Sequence, residues 1–188
     1  MDTLLSILKV IHIVNAILMA WPFYALVIVN QRVHLGPPLG DRADTYLENI
    51  IKNRTIPCFV LQATALVSGL ALVFVRGQGP GALFTNPALG FKFLLLGFIA
   101  ALLSYVHLSL QPQIDALFAQ GDNAVSADIA PHIGALRLRR KRMASICLFV
   151  VLTIAMLGVQ VWAPFPLWLT ALLIVAIAAF TWRAYTTR

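Results

Sequence analysis

Five separate runs of about twenty apolar residues constrain this chain more than any other feature. A run of that length is what an α-helix needs to cross the hydrocarbon core of a bilayer. They cover residues 4–29, 56–75, 89–110, 143–162 and 166–185. Residues that interrupt helices mark the breaks: Gly36-Pro37-Pro38 and Asp41 after the first run, Gly77-Gln78-Gly79-Pro80-Gly81 after the second, and Gln111-Pro112 at the end of the third. Ala163-Pro164-Phe165-Pro166 leaves so short a turn between the last two runs that they are expected to be antiparallel neighbours. Composition agrees, with 60% of the 188 residues apolar and only 11% charged, against about a quarter charged in soluble domains. A soluble enzyme, a secreted disulfide scaffold and a disordered protein are excluded. The expected fold is an all-α integral membrane protein, a five-span transmembrane helix bundle forming a single domain over residues 1–188. Trp21, Pro22, Phe23 and Tyr24 stand where a small-residue cleavage site would be needed, so the first run reads as a retained span and not a signal peptide.

The net charge of +7 does not point to nucleic acid, because the lysines and arginines lie almost wholly outside the apolar runs. Eleven fall on one side of the membrane: Arg32, Arg42, Lys52 and Arg54 after the first span, Arg137, Arg139, Arg140, Lys141 and Arg142 after the third, and Arg183 and Arg188 at the C-terminus. Lys9, Arg76 and Lys92 are the three toward the other side. The positive-inside bias then predicts an external N-terminus and a cytoplasmic C-terminus, in a bacterial inner membrane. The run 137–142 reads most simply as an anchor to anionic headgroups, with haem propionates or a partner protein as other takers. Cys58 and Cys147 belong to no CxxC or Cys/His metal spacing and are expected to be buried free thiols. Met19, Met143 and Met156 are too scattered for a copper relay, and Pro22 and Pro57 are expected to kink their helices.

An ionisable side chain inside hydrocarbon is costly and usually faces a bundle interior or a cavity. His12, Lys92 and His107 fit that description, while His34 and His132 fall in the loops. Two readings of His12 stay open: an imidazole ligand to a metal or haem iron, or an interhelical hydrogen bond to Asn15, Gln62 or Thr64. His107, beside Tyr105, is either a second ligand or an interfacial histidine. The depths of His12 and His107 differ by roughly 12–15 Å at 1.5 Å per residue, whereas two axial ligands of one iron lie about 4 Å apart. Straight parallel helices would therefore keep these histidines from clasping one haem. Lys92, at nearly the depth of His12, either snorkels to the interface or places a cation beside a haem or an anionic substrate.

Several short motifs carry a family resemblance. Ile7-Leu8-Lys9-Val10-Ile11-His12 resembles the first-span K-x-x-H opening of the HemJ-type protoporphyrinogen oxidase family and its CopD-like and DUF2269 relatives. Tyr46-Leu47-Glu48-Asn49-Ile50-Ile51 with Thr55-Ile56-Pro57 is similar to the family's amphipathic segment and second-helix entry. Lys92 followed by Tyr105-Val106-His107 resembles its third helix, and Gln111-Pro112 resembles the DUF2269 branch. The resemblance implies a bundle binding haem b, with His12 as axial ligand, Lys92 as the lysine important for activity, and His107 near the family's Tyr-His, one place later than the pattern. It also implies porphyrinogen oxidation with electrons passed to quinone. The chain departs from the pattern after Phe23-Tyr24, where Ala25-Leu26-Val27-Ile28 replaces an arginine and a histidine, and before the fourth span, where Arg139-Arg140-Lys141-Arg142 replaces an acidic residue.

The expectation is a haem b protein with metal ligands His12 and His107, and Lys92 as catalytic or cofactor-binding cation. It would carry electrons between haem and quinone or a partner subunit, with protoporphyrinogen oxidation a special case. Its partners would be the bilayer, quinone or porphyrin, and a larger membrane complex or a second copy, with no nucleic acid. The rivals are a cofactor-free accessory subunit and a copper-handling protein.

Overall fold

In hydrocarbon no water is at hand for backbone N–H and C=O groups, so a spanning segment must satisfy them internally and becomes helical. The computed structural model describes residues 2–31, 39–120 and 128–186, and every regular element among them is a helix. In chain order these are α1 (Asp2–Asn30), α2 (Arg42–Lys52), α3 (Thr55–Val75), α4 (Ala82–Thr85), α5 (Pro87–Tyr105), a π-helical turn (Val106–Leu110), α6 (Gln111–Phe118), α7 (Ala130–Trp162) and α8 (Leu167–Thr186). Five of them, α1, α3, α5, α7 and α8, are long and apolar enough to cross a membrane, which makes this a multi-pass membrane protein. Ile17, Ile28, Val67, Leu94, Leu172 and Val175 stand exposed on the bundle's outside, an apolar surface that water would not tolerate and lipid does. Arg32, His34, the Gly36-Pro37-Pro38 break and Arg188 lie outside the described residues.

α7 is the central helix, packed on α1, α5 and α8, and α1 lies along α3. Ile99, Leu148 and Val151 are sealed at its contacts. α8 folds back antiparallel to α7, through a turn clamped by one side chain: Gln160 donates from Nε2 to the Phe165 carbonyl at 2.9 Å and accepts from the Phe165 N–H at 3.2 Å. The turn between α3 and α4 uses Gly77 and Gly79 at φ +70° and +65°, where a Cβ would be strained.

Several sequence expectations need correction. The third helix does not end at Gln111-Pro112; it continues through the π turn into α6. The Gln111 N–H reaches back to the Val106 carbonyl, and this wider turn leaves Pro112 in the opening turn of α6, where its missing N–H costs nothing. Pro57 likewise occupies the first turn of α3 and is not a mid-helix kink. α7 starts at Ala130 instead of 143, so His132 and the basic run 137–142 are helical and not loop. Leucine, arginine and lysine are good helix formers, and Pro131 fits the first turn.

Candidate functional site

His12 lies half-buried on α1 facing α3. Its Nδ1 is 2.8 Å from the Ser68 Oγ, and that hydroxyl is 2.6 Å from the Thr64 carbonyl. A carbonyl only accepts, so the single hydroxyl proton of Ser68 goes to Thr64, and toward His12 the hydroxyl must accept. This arrangement puts a proton on Nδ1, and in the neutral ring leaves the lone pair on Nε2. No hydrogen bond to Nε2 occurs among the described residues. The ring fits against α3 because the next residue is glycine: a Cβ on Gly69 would stand 3.3 Å from His12 Cε1. The partners expected for His12 are engaged elsewhere, Asn15 donating to the Leu61 carbonyl at 2.9 Å and the Thr64 hydroxyl to the Val60 carbonyl at 2.9 Å. Gln62 is buried with its Oε1 unpaired.

Lys92 approaches the same level from α5. Its Nζ lies 3.2 Å from where a Cβ on Gly158 of α7 would be. The ammonium has no hydrogen-bond acceptor among the described residues. Ser68 is seven residues, about 10 Å, from the end of α3, so the site is level with the C-terminal third of that helix. Just above it Trp162 lies under two cations, Lys9 at 4.7 Å and Arg76 at 3.8 Å from its ring centroid.

The structure sets His107 apart from His12. His107 stands on the π turn with its ring edge-on to Phe59 at 6.0 Å. Phe59 is nine residues from Ser68 along α3, which separates the two histidines by about 13 Å. They cannot hold one iron. His12 shares with ligating histidines a ring oriented by a hydrogen bond from its other nitrogen. No group of three or more His, Cys, Asp or Glu placed to hold a metal ion occurs among the described residues.

The opposite, arginine-rich end is built from ion pairs that join α2 to α6 and α7. α2 lies there, its first turn capped by Asp41, whose Oδ1 accepts from the Asp44 N–H at 2.7 Å. Arg137 of α7 grips Asp44 with two hydrogen bonds of 3.0 and 2.9 Å. Arg140, 6% exposed, holds Glu48 through both guanidinium Nη atoms and also donates to Gln111 Oε1 at 2.6 Å. Lys52 pairs with Asp115 of α6 at 2.7 Å. Burial alone would raise the Glu48 carboxyl; Arg140, Arg137 and Gln111 outweigh it and pull it down to about 2. Two of the five cations in the run 137–142 are thus turned inward, and Arg139 lies over Tyr105 at 5.2 Å. Cys58 and Cys147 are buried free thiols.

Ser68, Gly69, Asp44 and Glu48 escaped sequence reading. The signals were present: Ser68-Gly69 is a small-residue notch of the kind that lets spans approach, and Asp44 with Glu48 shares a helix face at four-residue spacing. No known protein family, curated protein or solved structure matches this chain.

Proposed function

We propose that this chain is a redox protein of the bacterial inner membrane, its arginine-rich end in the cytoplasm, that binds haem b through His12 Nε2. Electrons pass between that haem and quinone or a partner subunit, and porphyrinogen oxidation is a special case of the same chemistry. The observation that carries this reading is the hydrogen-bond chain from His12 Nδ1–H through Ser68 to the Thr64 carbonyl, which holds an imidazole with its lone pair presented. The haem supplies one-electron chemistry when bound. The chain's residues do the rest: Ser68 orients the ring, the bare Gly69 leaves it room against α3, and Lys92 supplies a cation near the same level. That charge stabilises an added electron and so raises the midpoint potential.

The orientation rests on the excess of lysine and arginine at one end of the bundle. One observation favours a second reading, a cofactor-free accessory subunit: the His12–Ser68 hydrogen bond also ties α1 to α3, an interaction worth about 1 kcal/mol between spans. The absorption spectrum of the purified protein separates the two. A Soret band and a reducible α band, both lost on His12→Ala, support the haem reading. A colourless protein supports the accessory reading, and a copper-containing one overturns both.

A further inference from the structure

Some 15 Å from the His12 level, at the arginine-rich end, α1, α3, α5 and α7 leave a half-open cavity of about 50 Å³. Its walls include Phe23, Leu26, Leu103, Cys58 and Ala144, and they are almost wholly apolar. A slot so lined has room for a short stretch of aliphatic chain.

Two guanidinium groups border this apolar space, and they differ. Arg140 is neutralised by Glu48. Arg54 has no carboxylate partner among the described residues: its guanidinium lies over Trp21 at 4.4 Å, and its Nε is buried without an acceptor. A cation without a carboxylate partner and an apolar slot thus meet at one place.

We propose that this is a binding site for an anionic amphiphile, with its phosphate or carboxylate head on Arg54 and its aliphatic chain in the cavity. The ligand chemistry is common to an anionic phospholipid and a free fatty acid. An acceptor at Arg54 supplies the missing hydrogen bond to Nε, and the chain removes an empty apolar space, so each half of the ligand answers a defect of the unliganded protein.

Trp21 is the built-in reporter. The full chain is reconstituted into phosphatidylcholine vesicles carrying increasing fractions of chain-brominated phosphatidylglycerol, brominated phosphatidylcholine or brominated oleate. The Trp21 signal is the difference between the native chain and Trp21→Phe. Brominated phosphatidylglycerol or oleate is expected to quench Trp21 at a mole fraction at least threefold lower than brominated phosphatidylcholine. The better of the two identifies the head as phosphate or carboxylate. Arg54→Gln should reduce the preference below twofold, and Arg142→Gln, at an exposed cation of the same end, should leave it unchanged. Ala144→Leu fills the cavity with Arg54 in place and should also abolish the preference, which carries the test if Arg54→Gln does not fold. Equal quenching by all three in the native chain, or a preference that survives either substitution, overturns the proposal.

Discussion

Replacing Glu48 with glutamine keeps the shape of the side chain and removes its charge. Arg137 would still hold Asp44 through two hydrogen bonds, but Arg140 would keep only the neutral oxygens of Gln111 and the new amide. Leaving a buried cation without its anion costs about 3–5 kcal/mol. The carboxyl itself leads to a similar figure: lowering it from 4.5 to about 2 is worth about 3 kcal/mol. At 2–4 °C per kcal/mol for a chain of this size, the thermal midpoint of Glu48→Gln in detergent should fall by roughly 6–20 °C. Because the folded-state value is depressed, this stabilisation is complete above the unfolded value of 4.5 and is lost as pH falls toward 2. The native midpoint should therefore drop between pH 5 and pH 2 by more than that of Glu48→Gln. Substituting Glu48→Leu and Arg140→Met together should recover most of the loss, since an apolar pair of similar volume carries no desolvation cost. A Glu48→Gln midpoint within about 2 °C of native at neutral pH would refute the reasoning, because it would place this pair among exposed ion pairs worth 1 kcal/mol or less.

Other substitutions probe the opposite end and the backbone. Ser68→Ala removes the acceptor that orients His12, and should weaken haem binding 10–100-fold by titration while leaving the far helix end unaffected. Lys92→Gln should lower the haem midpoint potential in redox titration, with haem content retained. Gly90→Ala puts a Cβ 2.4 Å from the Leu83 carbonyl oxygen and should destabilise the α4–α5 junction by about 1–3 kcal/mol. Gly97→Ala meets open space on the same helix and should raise the thermal midpoint, by up to about 1 kcal/mol of stability.

The spans were legible because a bilayer imposes a length and a composition that leave few alternatives, and Thr55–Val75 and Leu167–Thr186 start and stop within a residue of the apolar runs. The polar extensions were not. Residues 130–142 read as loop because hydropathy detects the membrane and not the helix, and α7 runs on past the apolar stretch to meet α2. The π turn at Val106–Leu110 leaves no mark in the hydropathy, so Pro112 reads as a stop where the helix in fact runs on into α6. His12 and Lys92 were visible as costly groups in hydrocarbon, whereas Ser68 was not, because a serine inside a span can satisfy its own hydroxyl on a preceding carbonyl. Which residue meets His12 depends on how α1 and α3 rotate about their axes, and that is set by packing along the whole seam. The same holds for Arg137 and Arg140, whose acids lie about ninety residues earlier in the chain.

The most direct test is a titration of haem into the purified, haem-free chain, followed by its absorption spectrum. One haem per chain is expected, kept in His107→Ala and lost in His12→Ala. A His12→Ala chain that takes up haem with the native stoichiometry and spectrum would contradict the assignment of the ligand.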